Sequence, residues 1–412
     1  MGHFKELQIQ MDEYGYGEIG SKFACAACVE DPDLAAFVHA HAVEKQCSYC
    51  QKKAETPIAM PVDNLLAEFA DAVSLSYRRV GAEDYFDGDI MAHGVPMAEL
   101  LEFTIGSPFS NTSLEADIVG AFLPDEEWCE ASPYNLNHEE ALLAGWQSFS
   151  EQIRRVTRYL FFTDEHVGID EVAPGEILKH IHELVDEHGL VSTIERSQFV
   201  YRARHTWNLD EHFEDAETLG PPTPELAKGA SRMSSAGIPV FYGALDLETA
   251  VQETLAHAGA GGSATQVRVC WGTFRTVTSF RLIDLTTLPP VPGFFSPSRA
   301  NRETIGFLRS FAEDVAKPIP PDGREHSEYA PTQVVAEYFR HVYRSPAGLP
   351  ADGILYPSSK TEGQAFVLFV GAEQCCDFKD WSGEDTPHKL VLMEEDIASA
   401  VYGVRWQAMP TP

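Results

Sequence analysis

Phe199-Val-Tyr-Arg-Ala-Arg204 is where the character of this chain changes. Aromatic and β-branched residues crowd a short run from which a pair of arginines emerges, and Gln198–Ala203 reads as a strand. Downstream, Val240–Tyr242, Gln266–Cys270, Phe280–Leu285, Gly353–Tyr356, Ala365–Val370 and Lys389–Met393 repeat that short apolar or β-branched character. Three helical patterns interrupt them, at Asp246–Ala258, Ala300–Ala316 and Pro331–Tyr343. The strands do not alternate strictly with helices, so the second half is α+β and not a parallel doubly wound domain. Gly220–Pro224, Pro289–Pro297 and Pro318–Asp322 are proline-rich and read as surface loops.

Upstream of that change the chain reads differently. Residues 1–20 are polar and glycine-rich, an irregular lead-in, and residues 21–55 hold four of the eight cysteines. From Pro61 to about Gly189 the pattern is mostly helical. Asn64–Val80 places Leu65, Leu66, Phe69, Val73 and Tyr77 close to a 3.6-residue period. His138–Phe162 does the same behind a candidate N-cap, Asn137, and Gly175–His188 repeats the pattern before the stop signal Gly189. The expected divisions are 1–60, a cysteine module; 61–190, a helical domain; and 191–412, the α+β domain.

The bulk numbers narrow the function. With 412 residues, at about 150 per domain, two or three domains are expected. Sixty-three acids against 30 bases give a net charge of -33, which repels phosphate backbones and argues against general nucleic-acid binding. An anionic small substrate would need a local cluster of arginines. No run of about 18 apolar residues exists, so no membrane span is expected, and MGHFKELQIQ lacks the apolar core of a signal peptide. The expected location is cytoplasmic, where eight cysteines serve as thiols or metal ligands and not as disulfides.

Cys25-Ala-Ala-Cys28 and Cys47-Ser-Tyr-Cys50 are two C-x-x-C knuckles with eighteen residues between them. That spacing fits one tetrahedral, four-thiolate structural zinc site with no open position for catalytic water. His39 and His41 lie between the knuckles and could replace a ligand. The alternative is a set of reduced buried thiols or a redox pair. Cys129, Cys270, Cys375 and Cys376 show no ligand spacing and read as packing residues. Gly15-Tyr-Gly17-Glu-Ile-Gly20 matches a dinucleotide fingerprint as a string, but Cys25 follows too closely for the helix that the fingerprint requires. Gly259-Ala-Gly261-Gly262 follows a helix, not a strand, and reads as a helix exit.

Three segments of the second half hold chemistry-bearing residues. They are the arginine pair after Tyr201, the stretch Ser231-Arg-Met-Ser-Ser-Ala-Gly-Ile-Pro-Val-Phe-Tyr242 leading into a helix with Glu253, and Asp352-Gly-Ile-Leu-Tyr-Pro-Ser-Ser359. Each alone has a bland reading as solvated charge or turn. In order, Tyr201-Arg202, Arg232 to Tyr242 as R-x-x-x-x-G-x-P-x-x-Y, Ala250-Val-Gln-Glu253 and Tyr356-Pro-Ser358 resemble the RES domain family, over roughly 191–405. Pro331–Arg340 looks like the helix that precedes the last motif in longer members. The knuckles followed by helices resemble the HEPN-associated N-terminal domain found before some RES domains. The R-x4-6-H pair of HEPN nucleases is missing, since seven residues separate Arg158 from His166, so ribonuclease activity is not expected of this half.

The resemblance implies an ADP-ribosyltransferase-like α+β fold with a mixed, mainly antiparallel sheet. It implies NAD as substrate, cleaved at the nicotinamide–ribose bond by phosphorolysis or hydrolysis, with inorganic phosphate or water as acceptor. It also implies an antitoxin or immunity protein as partner, since many members are toxins. Mono-ADP-ribosylation of a protein and a non-catalytic zinc-ribbon interaction protein stay open as alternatives. The residues suit the chemistry. Loss of nicotinamide builds positive charge on the ribose, which a carboxylate stabilises, and Glu253 is the candidate. Guanidinium groups bind pyrophosphate through paired, charge-assisted hydrogen bonds. The resemblance therefore gives Arg202, Glu253 and Ser358 as catalytic residues, and Arg232, Tyr242 and Arg204 as NAD-binding residues. Ser231 stands where the family often has glycine, Glu248 precedes Glu253 by five residues, and Ser359 is an alternative to Ser358.

Overall fold

A computed structural model describes residues 15–81, 84–86, 89–90, 93–132, 136–160, 172–173, 175–258, 266–317, 324–383 and 387–403. The chain forms two compact units, one of Met1–Glu139 with Pro290–Gly306 and the other of Glu140–Pro289 with Phe307–Pro412. No helix among the described residues is long and apolar enough to cross a membrane.

The first unit contains β1 (Phe23–Cys25), α1 (Pro32–Ala40), β2 (Ala59–Pro61), α2 (Val62–Ser74), β3 (Tyr77–Arg79), β4 (Val95–Pro96), α3 (Thr112–Ala121) and β5 (Glu127–Glu130). Asp31 caps α1 by accepting the Leu34 amide, and Pro32 occupies the first turn, where its missing donor costs nothing. α2 buries Leu65, Leu66, Phe69 and Val73 against the same core as Leu34, Leu114 and Phe122. The expected helix over Asn64–Val80 stops at Ser74, and Tyr77–Arg79 instead pairs antiparallel with Trp128–Glu130. Arg78 secures that strand by bonding Asp84 at 2.7 Å and the Ala131 carbonyl at 3.2 Å, partners that a continued helix could not reach together. Phe295, from the proline-rich stretch, stacks on Phe69 at 5.6 Å, and Arg299 pairs with Glu68 at 2.8 Å. This stretch was expected to be a surface loop, but Phe295 belongs to the core because apolar burial outweighs the local turn signal.

In the second unit, or crossing into it, are α4 (His138–Glu151), α5 (Ile177–Glu187), β6 (Val191–Ile194), β7 (Phe199–Thr206), β8 (Phe241–Ala244), α6 (Leu247–Ala258), β9 (Gln266–Thr276) and β10 (Phe280–Asp284). They are followed by α7 (Arg302–Ala316), α8 (Ala330–His341), β11 (Gly353–Pro357), β12 (Gln364–Leu368), β13 (Cys375–Asp377) and β14 (Leu390–Gly403). α4 ends earlier than the pattern to Phe162 suggested, with one π turn at Gln152–Val156. Phe161, Phe162, His166, Gly259–Gly262 and Pro318–Asp322 lie outside the described residues.

Among the described residues one nine-stranded sheet runs β13-β14-β9-β7-β8-β12-β11-β10-β6. β10 with β11 and β13 with β14 are parallel, and the other neighbours are antiparallel. The domain is therefore α+β with a mixed, mainly antiparallel sheet. β6 and β13 are too short to stand out in the sequence, and pairing at the two edges of the sheet makes them strands. The sheet separates two cores. One face carries Ile354, Tyr356, Ala365 and Val367 under α5, α7 and α8. The other carries Val200, Phe241, Phe274, Leu355 and Phe366.

Candidate active site

Side chains alternate along a strand, and directly opposed residues of neighbouring strands share a face. Tyr201 is opposite Ala244, Ala244 opposite Ala365, and Ala365 opposite Tyr356. These residues, with Ala203 and Tyr242 two positions along their strands, form one face. Arg202 and Arg204 fall on the other. A cleft of about 310 Å³ opens on the first face, lined by Tyr242, Ala250, Glu253, Thr254 and Tyr356 together with Ser231, Arg232 and the β7 residues Ala203 to His205.

α6 delivers Glu253 to this cleft. Asp246 accepts the Thr249 amide at 2.8 Å, satisfying an orphan donor of the first turn. One turn beyond Ala250, the Thr254 hydroxyl donates to the Ala203 carbonyl at 3.2 Å and ties the helix to β7. Glu253 thereby meets the end of β11, where the Ser358 hydroxyl donates to its Oε1 at 2.5 Å. Ser358 Oγ in turn accepts the amides of Lys360 and Thr361 at 3.1 and 3.3 Å, which fixes the direction of its own proton. Ser359 and Glu248 are exposed. Of each ambiguous pair, the structure brings Ser358 and Glu253 together.

Arg232 enters from the connection before β8. It is 4% exposed, its guanidinium lies 5.5 Å from the Tyr356 ring, and its Nε has no partner among the described residues. Its connection is a tight turn in which Ser231 and Ser234 exchange backbone hydrogen bonds. Gly237, the glycine of the R-x-x-x-x-G-x-P pattern, sits at φ +83, a conformation that a side chain disfavours. Tyr242 Oη accepts the Met233 amide at 2.8 Å and pairs with Ser231 Oγ at 2.9 Å. Tyr242 is thus both cleft wall and support for the turn. Burial raises the phenol pKa of both Tyr242 and Tyr356, so both stay neutral.

Arg202 does not line the cleft. Its guanidinium donates to the carbonyls of Leu219 at 2.5 Å, Tyr242 at 2.7 Å and Gly220 at 3.3 Å, over the Phe241 ring. Burial, and after it the Arg204 charge, lowers its pKa. Arg204 borders the cleft through its place in β7, but its guanidinium bonds the Thr218 carbonyl and lies over Phe213. Strand alternation explains the split. His205, which also borders the cleft, was missed by the sequence reading; its place two residues beyond Ala203 was the available signal.

In the other unit, β1 runs into a single 3-10 turn, Ala26–Cys28, and the Ser48 amide and hydroxyl bond the Phe23 main chain at 2.8 and 2.9 Å. The sulfurs of Cys25, Cys28, Cys47 and Cys50 all lie within 4.8 Å of one another. Cys25 to Cys28 is 3.9 Å, Cys25 to Cys50 is 3.5 Å and Cys28 to Cys47 is 3.7 Å. A metal–sulfur distance of about 2.3 Å puts the edges of a sulfur tetrahedron near about 3.8 Å, so this donor set fits a zinc-sized ion. Burial pushes the Cys25 thiol up to about 11. At Cys47 burial also pushes upward, but the amides of Cys50, Tyr49 and Cys25 outweigh it and hold the thiol at about 7. His39 and His41 are exposed and outside this group. The remaining cysteines are free, three of them buried.

Residues 199–382 match the RES domain family, and residues 40–167 match HEPN/RES N-terminal domain 1. The chain carries a RES domain behind a HEPN/RES N-terminal domain. No curated protein matches it. The crystal structure of the M. tuberculosis MbcT–MbcA toxin–antitoxin complex aligns with 54% of this chain and 92% of its own, at 18% identity and a TM-score of 0.27. That score does not establish a common shape, and the alignment assigns no residue.

Proposed function

We propose that this chain is a RES-type enzyme that breaks the nicotinamide–ribose bond of NAD. The observation that supports it best is the Ser358–Glu253 pair, 2.5 Å apart at a cleft whose wall holds a buried arginine, its Nε without a partner among the described residues. Arg232 would take the pyrophosphate, since a guanidinium presents donors matched to paired anionic oxygens. Tyr242 and Tyr356 would flank the nicotinamide or a ribose as neutral aromatic walls.

Departure of nicotinamide breaks the ribose C1′–N bond. The electron pair leaves with the pyridinium nitrogen, which becomes neutral, and the ribose becomes oxocarbenium-like. Glu253 stabilises that charge, held in place by the Ser358 proton. If water attacks C1′, Glu253 is placed to receive its proton; if phosphate attacks, an oxyanion adds directly. Ser358, its proton committed to the Glu253 carboxylate, positions that carboxylate rather than attacking C1′. Arg202 and Arg204 contribute by fixing the β7–β8 frame behind the cleft, a different task from direct NAD contact.

Purified full-length protein incubated with NAD, with and without phosphate, distinguishes the acceptors by product mass. ADP-ribose indicates hydrolysis and its phosphorylated counterpart phosphorolysis. Label retained on a protein would favour ADP-ribosyl transfer, and intact NAD would remove the enzymatic reading. We further assign zinc to the four-cysteine cluster, as a structural ion that ties the two knuckles. An enzyme that consumes NAD also needs restraint in its host, and an antitoxin or immunity protein is the proposed partner.

A further inference from the structure

The turn that presents Arg232 is held from outside by α8, through residues that do not line the cleft. Gln333 is 7% exposed, and both of its amide protons are used there. Nε2 donates to the Ser231 carbonyl at 2.8 Å and the Ser234 carbonyl at 3.2 Å, and Oε1 accepts the Ser235 hydroxyl at 3.1 Å. Beside it, the Thr332 hydroxyl donates to the Arg232 carbonyl at 2.5 Å. Tyr242 holds the turn through the Met233 amide. A sequence as permissive as Ser-Arg-Met-Ser-Ser-Ala-Gly would otherwise lose much backbone entropy on ordering around a ligand.

We propose that Gln333, assisted by Thr332, is the positioning residue for Arg232, setting that guanidinium against Tyr356 before substrate arrives. This rests on the reading of the cleft as the NAD site. Preorganisation lowers the ordering cost of binding, so its loss falls on substrate affinity more than on the bond-breaking step.

The test uses full-length Gln333→Leu, with Thr332→Val as the milder, near-isosteric variant. It measures steady-state NAD consumption and hydrogen exchange at the amides of 231–235. Each variant is expected to speed exchange there, and to raise KM about ten-fold while kcat falls less than about three-fold, the size of effect that a lost buried hydrogen bond produces. In an Arg232→Lys background, Gln333→Leu should raise KM little further, because both changes act through one group. Unchanged exchange in both variants overturns the proposal, as does an additive KM effect in the Arg232→Lys background. Faster exchange with no NAD consumption by the wild type places the failure in the reading of the cleft instead.

Discussion

Glu253 and Ser358 lie 105 positions apart and meet because α6 and the end of β11 cover the same sheet face. Glu253→Gln keeps the shape and removes the charge, and should lower NAD turnover by at least about 100-fold, with an unchanged melting temperature. Ser358→Ala should lower it less, since the carboxylate remains but loses the hydroxyl that orients it. Arg202→Ala is expected to act differently. It strips donors from the Leu219, Gly220 and Tyr242 carbonyls, and should cost on the order of 3 kcal/mol in urea unfolding. Retained stability with a selective loss of NAD affinity would instead place Arg202 in direct ligand contact. The sequence supplied Arg232, Tyr242, Glu253 and Ser358 together, as an ordered set of motifs. It could not separate the tasks of the arginines, because a motif string does not say which sheet face a residue takes.

Elements add a second layer of control. Most strands of the second unit were legible from β-branched runs, β6 and β13 excepted, and α8 from its apolar period, but its polar face was silent in sequence. Gln333 and Thr332 show their use only when α8 lies against the turn at 231–235. α6 depends on its cap: Asp246→Ala should cost about 1 kcal/mol of stability and loosen the placement of Glu253. A several-fold drop in kcat, with melting lowered by a few degrees, would bear that out, while unchanged values would show that the Thr254 tie to β7 suffices. The knuckles were the most readable element of all, because ligand spacing is local. An ion held by the four thiolates would add its binding free energy to the stability of the fold there. Removing the ion with a chelator, or Cys28→Ser, is therefore expected to lower the melting temperature of full-length protein, and to abolish a stoichiometric zinc signal in metal analysis.

At the scale of the whole molecule, charge and chemistry pull in opposite directions. A net charge of -33 disfavours any anionic ligand at long range, so a phosphate-bearing substrate must be held locally by a desolvated guanidinium. NAD consumption should then be only weakly salt-dependent, since the Arg232 contact is buried and poorly screened. Composition argued against a nucleic-acid backbone as a partner, but it could not foresee that Pro290–Gly306 joins the N-terminal unit, which depends on burial of Phe295 across more than two hundred positions. If the cleft destroys NAD, expression of the wild-type chain alone should arrest growth, and Glu253→Gln should relieve the arrest. The most direct test is nicotinamide release from NAD by the purified wild-type protein, measured beside Glu253→Gln. The account predicts stoichiometric nicotinamide from the wild type and almost none from the variant. Equal release from both, or none from either with and without phosphate, would contradict it.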